Sequence, residues 1–351
     1  MSTFRRIRNA SFCGLMMLAL AAGHVLAAES LSVVLGVTTP PLMNTLNLIA
    51  EGAGFYEEEG LRVSTRLVPE AVQALKICAS GEADICPTAV EPVVDHYDEG
   101  VRVTMFLSRA SKYGNVIAVT ADSPIKTWAD LRGATIGVHT VKGSASVFTA
   151  QSALTAAGLR PGDYSMATIG MDKDAMAAIT SGKVQAAGLP MYEFIPFMVK
   201  GMKLRIFRHP VLADVPNAGY AAAPSVMAAK PGAVGHFSRA IVKASLLVRY
   251  NPRAAARAML TAQGKPFTDA DLQQITAELT AWEDELPAAD PDSRRIGEIP
   301  QSGIQRYIGL LVDAGATKAA MPASDIVTDR FIAFANDFDR KAFETRARSM
   351  K

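Results

Sequence analysis

The chain has 351 residues, 49% of them hydrophobic and 20% charged, and its 36 Lys and Arg nearly cancel its 34 Asp and Glu to leave a formal net charge of +2. Near-neutrality excludes the basic surface that nucleic-acid binding needs, and an apolar chain without low-complexity tracts is not a disordered one. The length exceeds one usual domain and predicts one or two well-packed α/β units.

At the start of the chain, Arg5, Arg6 and Arg8 precede an uncharged apolar run from Phe12 to about Ala22, and Val25-Leu26-Ala27 places small or aliphatic residues where a signal peptidase reads. This predicts a secretory signal over residues 1–27 with cleavage near Ala27. The run is too short to span a membrane comfortably, and no later stretch is long and apolar enough to do so. Cys13 lies upstream of most of the apolar run and lacks a lipoprotein context, so the expected product is a soluble exported protein. Losing three arginines and no acids leaves 33 basic against 34 acidic residues, a net charge of −1.

Leu31 to Val37 reads as a buried strand, and Asn44 to about Ala53 carries apolar residues at helical spacing before Gly54-Phe55-Tyr56. Leu61 to Val68 gives a second, alternating strand, Ala71 to Ala79 a helix ended by Ser80-Gly81, and Ala83 to Cys86 a third strand. The order βαβαβ in short steps implies a mostly parallel sheet covered on both faces, with ligands gathering at the strands' carboxyl ends. Of the three cysteines, only Cys78 and Cys86 remain after processing. In an oxidising compartment they either pair or stay as two buried thiols, and their spacing matches no zinc pattern.

The segment Ser108 to Gly114 leads into Asn115 to Val119, an extended stretch suited to crossing between two units, with a return crossing expected near Asn217 to Tyr220. After it, Ala134 to Val138 is a strand and Val147 to about Ala157 a helix, joined by Gly143-Ser144-Ala145-Ser146. Such a turn aims free N–H groups, two hydroxyls and a helix dipole at one spot, with Lys142 beside it. It is either an anion-binding edge or an ordinary turn in which Ser144 or Ser146 caps the helix. Ser165 to Gly170 is a further strand and Lys173 to Thr180 a helix, for which Asp172 is the expected N-cap. Beyond about Gly232, an amphipathic helix over Phe237 to Arg249 and a capped one over Thr268 to Trp282 read as scaffold.

The first unit recurs. Gly36-Val37-Thr38 corresponds to Gly137-Val138-His139, and Ser80-Gly81 corresponds to Ser181-Gly182, both at an offset of 101 residues. Two similar lobes follow, with Thr38-Thr39 and the Gly143 to Ser146 turn in equivalent places. Thr88 in one lobe and Tyr192 and Glu193 in the other fall in the loops after the third strands, so all these positions would line one cleft.

The phrases Gly54 to Leu61, Ser80 to Ile85 and Ser123 to Gly133, with Ile136-Gly137-Val138 directly after, resemble the periplasmic solute-binding proteins of ABC importers, in the nitrate, sulfonate, taurine and thiamine-precursor group. The resemblance implies a two-lobed periplasmic binding protein fold of type II, each lobe a mostly parallel sheet flanked by helices, with two crossover strands. Its expected divisions are 28–117 with 219–351 as lobe 1 and 118–218 as lobe 2. It further implies a monomer that closes on a small solute and delivers it to a membrane permease, without a cofactor. By the same resemblance, the turn at Ser144, Ala145 and Ser146, the loop at Thr38 and Thr39, and the loop at Thr88 contact the ligand.

Ligand chemistry stays open between two readings. Arg109, Lys142 and the helix start suit a sulfonate, carboxylate or similar anion, whereas Asp172, Tyr192 and Glu193 suit a cationic or heterocyclic amine of the vitamin-precursor type. For Arg109, Lys112 and Lys142 a solvated rim is the competing role, and for Tyr192 and Tyr220 a structural one. Catalysis is not expected. The related pyrimidine-forming enzyme needs a cysteine-rich iron-binding run that this chain lacks, and His96, His139, His209 and His236 show no metal-ligand spacing.

Overall fold

A computed structural model describes residues 28–36, 44–139, 141, 145–208, 210–212, 215–216, 218–313, 317 and 321–351. The predicted signal over residues 1–27 lies outside the described residues, as do Thr38, Thr39, Lys142, Gly143 and Ser144. Among the described residues no helix is long and apolar enough to cross a membrane.

The first lobe begins with β1 (Glu29–Leu35), α1 (Thr45–Gly52), α2 (Phe55–Glu58), β2 (Leu61–Leu67), α3 (Ala71–Ala79), β3 (Cys86–Ala89), α4 (Val90–Asp95) and β4 (Thr104–Ser108). The second comprises β5 (Asn115–Thr120), β6 (Thr135–Val138), α5 (Ala145–Ala156), β7 (Ser165–Thr168), α6 (Asp172–Thr180), β8 (Ala186–Pro190), α7 (Met191–Val199) and β9 (Leu204–Phe207). The chain then returns through β10 (Ala218–Ala222) to the helices α8 (Pro224–Ala229), α9 (Pro231–Tyr250), α10 (Pro252–Ala262), α11 (Asp269–Trp282), α12 (Gln301–Asp313), α13 (Ile332–Asn336) and α14 (Arg340–Ser349).

The second sheet runs β7-β6-β8-β5-β9. In the first, β2 pairs with β1, a parallel bridge joins Val33 of β1 to Ile85, and β3-β10-β4 completes the row. Both sheets therefore have one order, β2-β1-β3-β10-β4 matching β7-β6-β8-β5-β9 position by position. In each, the one strand antiparallel to its neighbours is the one that crosses from the other lobe, β10 and β5. This is the two-lobed α/β fold with two crossovers. The third strand of lobe 1 starts later than the sequence suggests: Asp84 and Ile85 bond to the Ser32 carbonyl, and the ladder to β10 begins only at Cys86.

Both anchors of the 101-residue repeat have a steric cause. A Cβ on Gly36 would meet Ala71 Cα at 2.3 Å, and one on Gly137 would meet Ile169 Cδ1 at 2.5 Å, so each strand end is crossed closely by the segment leading to the lobe's second long helix. Gly81 and Gly182, at φ 77° and 74°, each close that helix in the left-handed conformation.

The long helix α9 anchors lobe 1. Its Phe237 is fully buried, with ring centres of Tyr56 and Tyr220 at 5.7 and 5.2 Å. Its buried Lys243 is satisfied by Glu58 and Glu59, each at 2.6 Å. Cys78 and Cys86 are free buried thiols; the Cys78 Sγ–H donates to the Ala221 carbonyl at 3.4 Å, and burial pushes the Cys86 thiol well up. Helix α7 of lobe 2 packs on α11 of lobe 1, where Tyr192 meets Trp282 edge-on at 6.3 Å.

Candidate functional site

The candidate polar residues lie at or just after the carboxyl ends of strands. Strand β10 is hydrogen-bonded on both sides, and its Gly219 faces Thr88 of β3 and Ser108 of β4. Arg109 follows β4 directly, its N–H donating to the Ala218 carbonyl at 3.0 Å. That pairing fixes Thr88 and Arg109 on either side of one strand, at the carboxyl ends of β3 and β4.

Arg109 is half-buried, not a solvated rim residue. Burial lowers its pKa, and the nearby hydroxyls of Tyr192 and Tyr220 act in the opposite direction. Tyr220 is fully buried and Tyr192 partly so; burial raises both phenols, with Glu193 adding to the rise at Tyr192 and Arg109 opposing it at both. A guanidinium therefore stands in a low-dielectric place beside two neutral hydroxyls, a setting in which an anion's attraction is strengthened.

On the lobe 2 side, the buried Glu193 lies in the first turn of α7 and accepts the Asp172 N–H at 2.9 Å. Its pKa is raised, chiefly by burial and then by the Asp172 charge, against the lowering effect of that hydrogen bond. The expected role of Asp172 as N-cap is not what is found. Met171 occupies the cap position, Asp172 is the first helical residue with φ 53°, and no side chain of α6 caps its start. The acceptor comes instead from the neighbouring helix, a tertiary contact that no local pattern encodes.

Of the turn at 143–146, Ala145 opens α5, and Ser146 is buried with its hydroxyl accepting the His139 N–H at 3.2 Å. Thr88 is half-buried and donates to the Ala89 carbonyl at 3.3 Å. Lys112 lies outward, 3.7 Å from Glu285. Arg109, Tyr192, Glu193 and Asp172 thus form one electrostatically linked group, while Thr38, Thr39, Lys142 and Ser144 lie outside the described residues.

Several buried polar residues were not singled out from sequence. Asn44, Thr45 and Asn47 are buried at the start of α1; Asn47 Nδ2 donates to Asn44 Oδ1 at 2.6 Å, and the Tyr56 hydroxyl donates to Asn47 Oδ1 at 3.3 Å. Polar residues at buried positions on an otherwise apolar helix face were the available signal. Glu91 is buried too, receiving the hydroxyls of Tyr113 at 3.1 Å and Tyr307 at 2.7 Å, so the first crossover connection is bonded into lobe 1. Among the described residues no group of three His, Cys, Asp or Glu is placed to hold a metal.

This architecture defines a periplasmic binding protein fold. The family model described as NMT1/THI5 like matches residues 44–255, and the chain belongs to that family. Among solved structures it is similar to the periplasmic aliphatic sulphonate binding protein SsuA from Escherichia coli, at TM-score 0.65 and 19% identity over 84% of this chain and 96% of that one. It is also similar to the alkanesulfonate-binding protein SsuA from Xanthomonas axonopodis pv. citri bound to MOPS, at TM-score 0.61 and 17% identity over 86% and 99%. A cysteine-to-serine variant of DszB in complex with biphenyl-2-sulfinic acid aligns at TM-score 0.55 and 15% identity over 88% and 99%. No curated protein matched in sequence.

Proposed function

We propose that the chain is an exported receptor that captures a small organic anion, a sulfonate or carboxylate, between its lobes and delivers it to an ABC permease. The carrying observation is Arg109, half-buried beside Tyr192 and Tyr220 at the edge where both crossovers meet. A charge already removed from bulk water binds an anion with short, strong hydrogen bonds. The names of the two SsuA structures point to the same ligand class. Residues 28–117 with 219–351 form one lobe in this reading and 118–218 the other, the signal is removed near Ala27, and the mature monomer works in the periplasm. The candidate contacts are Thr38, Thr39, Thr88, Arg109, Lys142, Ser144, Ala145, Ser146, Asp172, Tyr192 and Glu193. Ligand on both lobes shifts the population toward the closed form.

A binder of a cationic heterocycle is the second reading, supported by the buried Glu193 and the Tyr192–Trp282 ring pair. An enzyme is the third, kept in view by the likeness to DszB. Native mass spectrometry of protein purified from cells separates the three. One unchanged organic anion per chain supports the receptor, a bound amine heterocycle favours the second reading, and conversion of the ligand on incubation sinks the receptor.

A further inference from the structure

Four large hydrophobic side chains among the described residues are more than a third exposed: Leu67 (43%), Val141 (43%), Met171 (37%) and Phe334 (39%). Phe334 is covered, with the Arg239 guanidinium 3.9 Å from its ring centre and the His236 ring edge-on at 5.0 Å. The other three lie at carboxyl ends of strands. Leu67 closes β2, Met171 stands between β7 and α6, and Val141 lies between β6 and α5 with its N–H on Thr168 Oγ1 of β7 at 3.1 Å.

By the shared strand order, the β2–α3 and β7–α6 loops are equivalents, one on each lobe. Both belong to the sheet edge farthest from the crossover strands β10 and β5, so a rotation about the crossovers carries them through the widest arc. Along β2, Leu61 is buried, Val63 half-buried, and Thr65 and Leu67 exposed, so one face of the strand loses its cover as it runs toward its carboxyl end. A lone exposed hydrophobic is ordinary, but here all three that lack cover lie at or just after the carboxyl ends of strands, on both lobes. A solute tail does not cover Leu67: four strand spacings separate β2 from β4, roughly 19 Å at about 4.8 Å each, and a small solute held at Arg109 does not span that.

We infer that Leu67 of one lobe and Met171 with Val141 of the other meet across the cleft mouth on closure, forming an apolar latch that stabilises the closed form. This rests on the closing-receptor reading above. The test uses the whole chain without added ligand, carrying Cys13→Ser together with Glu70→Cys and Lys173→Cys, exposed neighbours of the latch in the β2–α3 loop and the first turn of α6. A short bismaleimide traps each closure irreversibly, and the native Cys78 and Cys86, fully buried, stay silent. Adding Leu67→Ser and Met171→Ser is expected to slow cross-linking by about five- to tenfold, the effect of exposing part of two apolar side chains. Single-site labelling and melting temperature should hold steady. An unchanged cross-linking rate overturns the latch and leaves closure intact. If the reporter pair never cross-links although both cysteines take a monofunctional maleimide, the loops do not meet, and both the latch and the closing receptor fall.

Discussion

The backbone N–H of Asp172 donates to the Glu193 carboxylate at 2.9 Å, so the start of α6 is satisfied by the start of α7. Two helices that begin at the carboxyl ends of β7 and β8 are thereby tied together beside Tyr192. The bond orients one carboxylate oxygen of Glu193, and burial raises the energy of its charge.

That raised pKa sets a pH dependence. Between 4.5, the ordinary glutamate value, and the higher folded value, the native state binds more protons than the unfolded chain. The stability Glu193 contributes is therefore present below 4.5 and lost as pH rises through the folded value. Glu193→Gln keeps an acceptor for Asp172 and removes the titration. Melting curves of the two proteins should diverge across that window, with the variant gaining at neutral pH; parallel curves would contradict the assignment.

Arg109→Gln is expected to weaken binding of an alkanesulfonate such as butanesulfonate by about ten- to a hundredfold, the value of a charge-assisted hydrogen bond of roughly 1.5–3 kcal/mol. Isothermal titration measures it. Affinity within a factor of two of the wild type would move the anion site away from β4.

The Glu91 carboxylate is buried and receives two tyrosine hydroxyls that are themselves 2.6 Å apart. Tyr307→Phe withdraws one donor from a group that water does not reach, and should cost about 1–3 kcal/mol in urea unfolding. Glu91→Leu is the control: it removes the acceptor and leaves one of the two hydroxyls without one, since only one can donate to the other, so it should also destabilise. A neutral Tyr307→Phe would show that the carboxylate is satisfied without it.

Gly36 and Gly137 make unequal predictions despite their matching places. A methyl at Gly36 meets the backbone of Glu70 and Ala71, which has no room to move, whereas at Gly137 it meets the side chain of Ile169. Gly36→Ala should therefore lower the melting temperature more than Gly137→Ala, the latter costing about 1–3 kcal/mol as ordinary overpacking. Equal losses in thermal melts would argue against this difference in give.

The periodicity of the chain, its glycine punctuation and its repeat were sufficient for the fold class, because each reflects a local demand: apolar residues at strand or helix spacing, a left-handed helix end at Gly81 and Gly182, a close backbone crossing at Gly36. The resemblance in short phrases was sufficient for the family, since those phrases lie at turns whose geometry few sequences satisfy. Only the tertiary structure decided what Asp172 and Glu193 do to each other, that Arg109 is drawn out of water beside Tyr192 and Tyr220, and that Cys78 and Cys86 are free thiols under β10. Those outcomes depend on which elements become neighbours across 21 to 143 residues of chain. Burial and partnership are properties of that neighbourhood, and a residue's local sequence does not carry them.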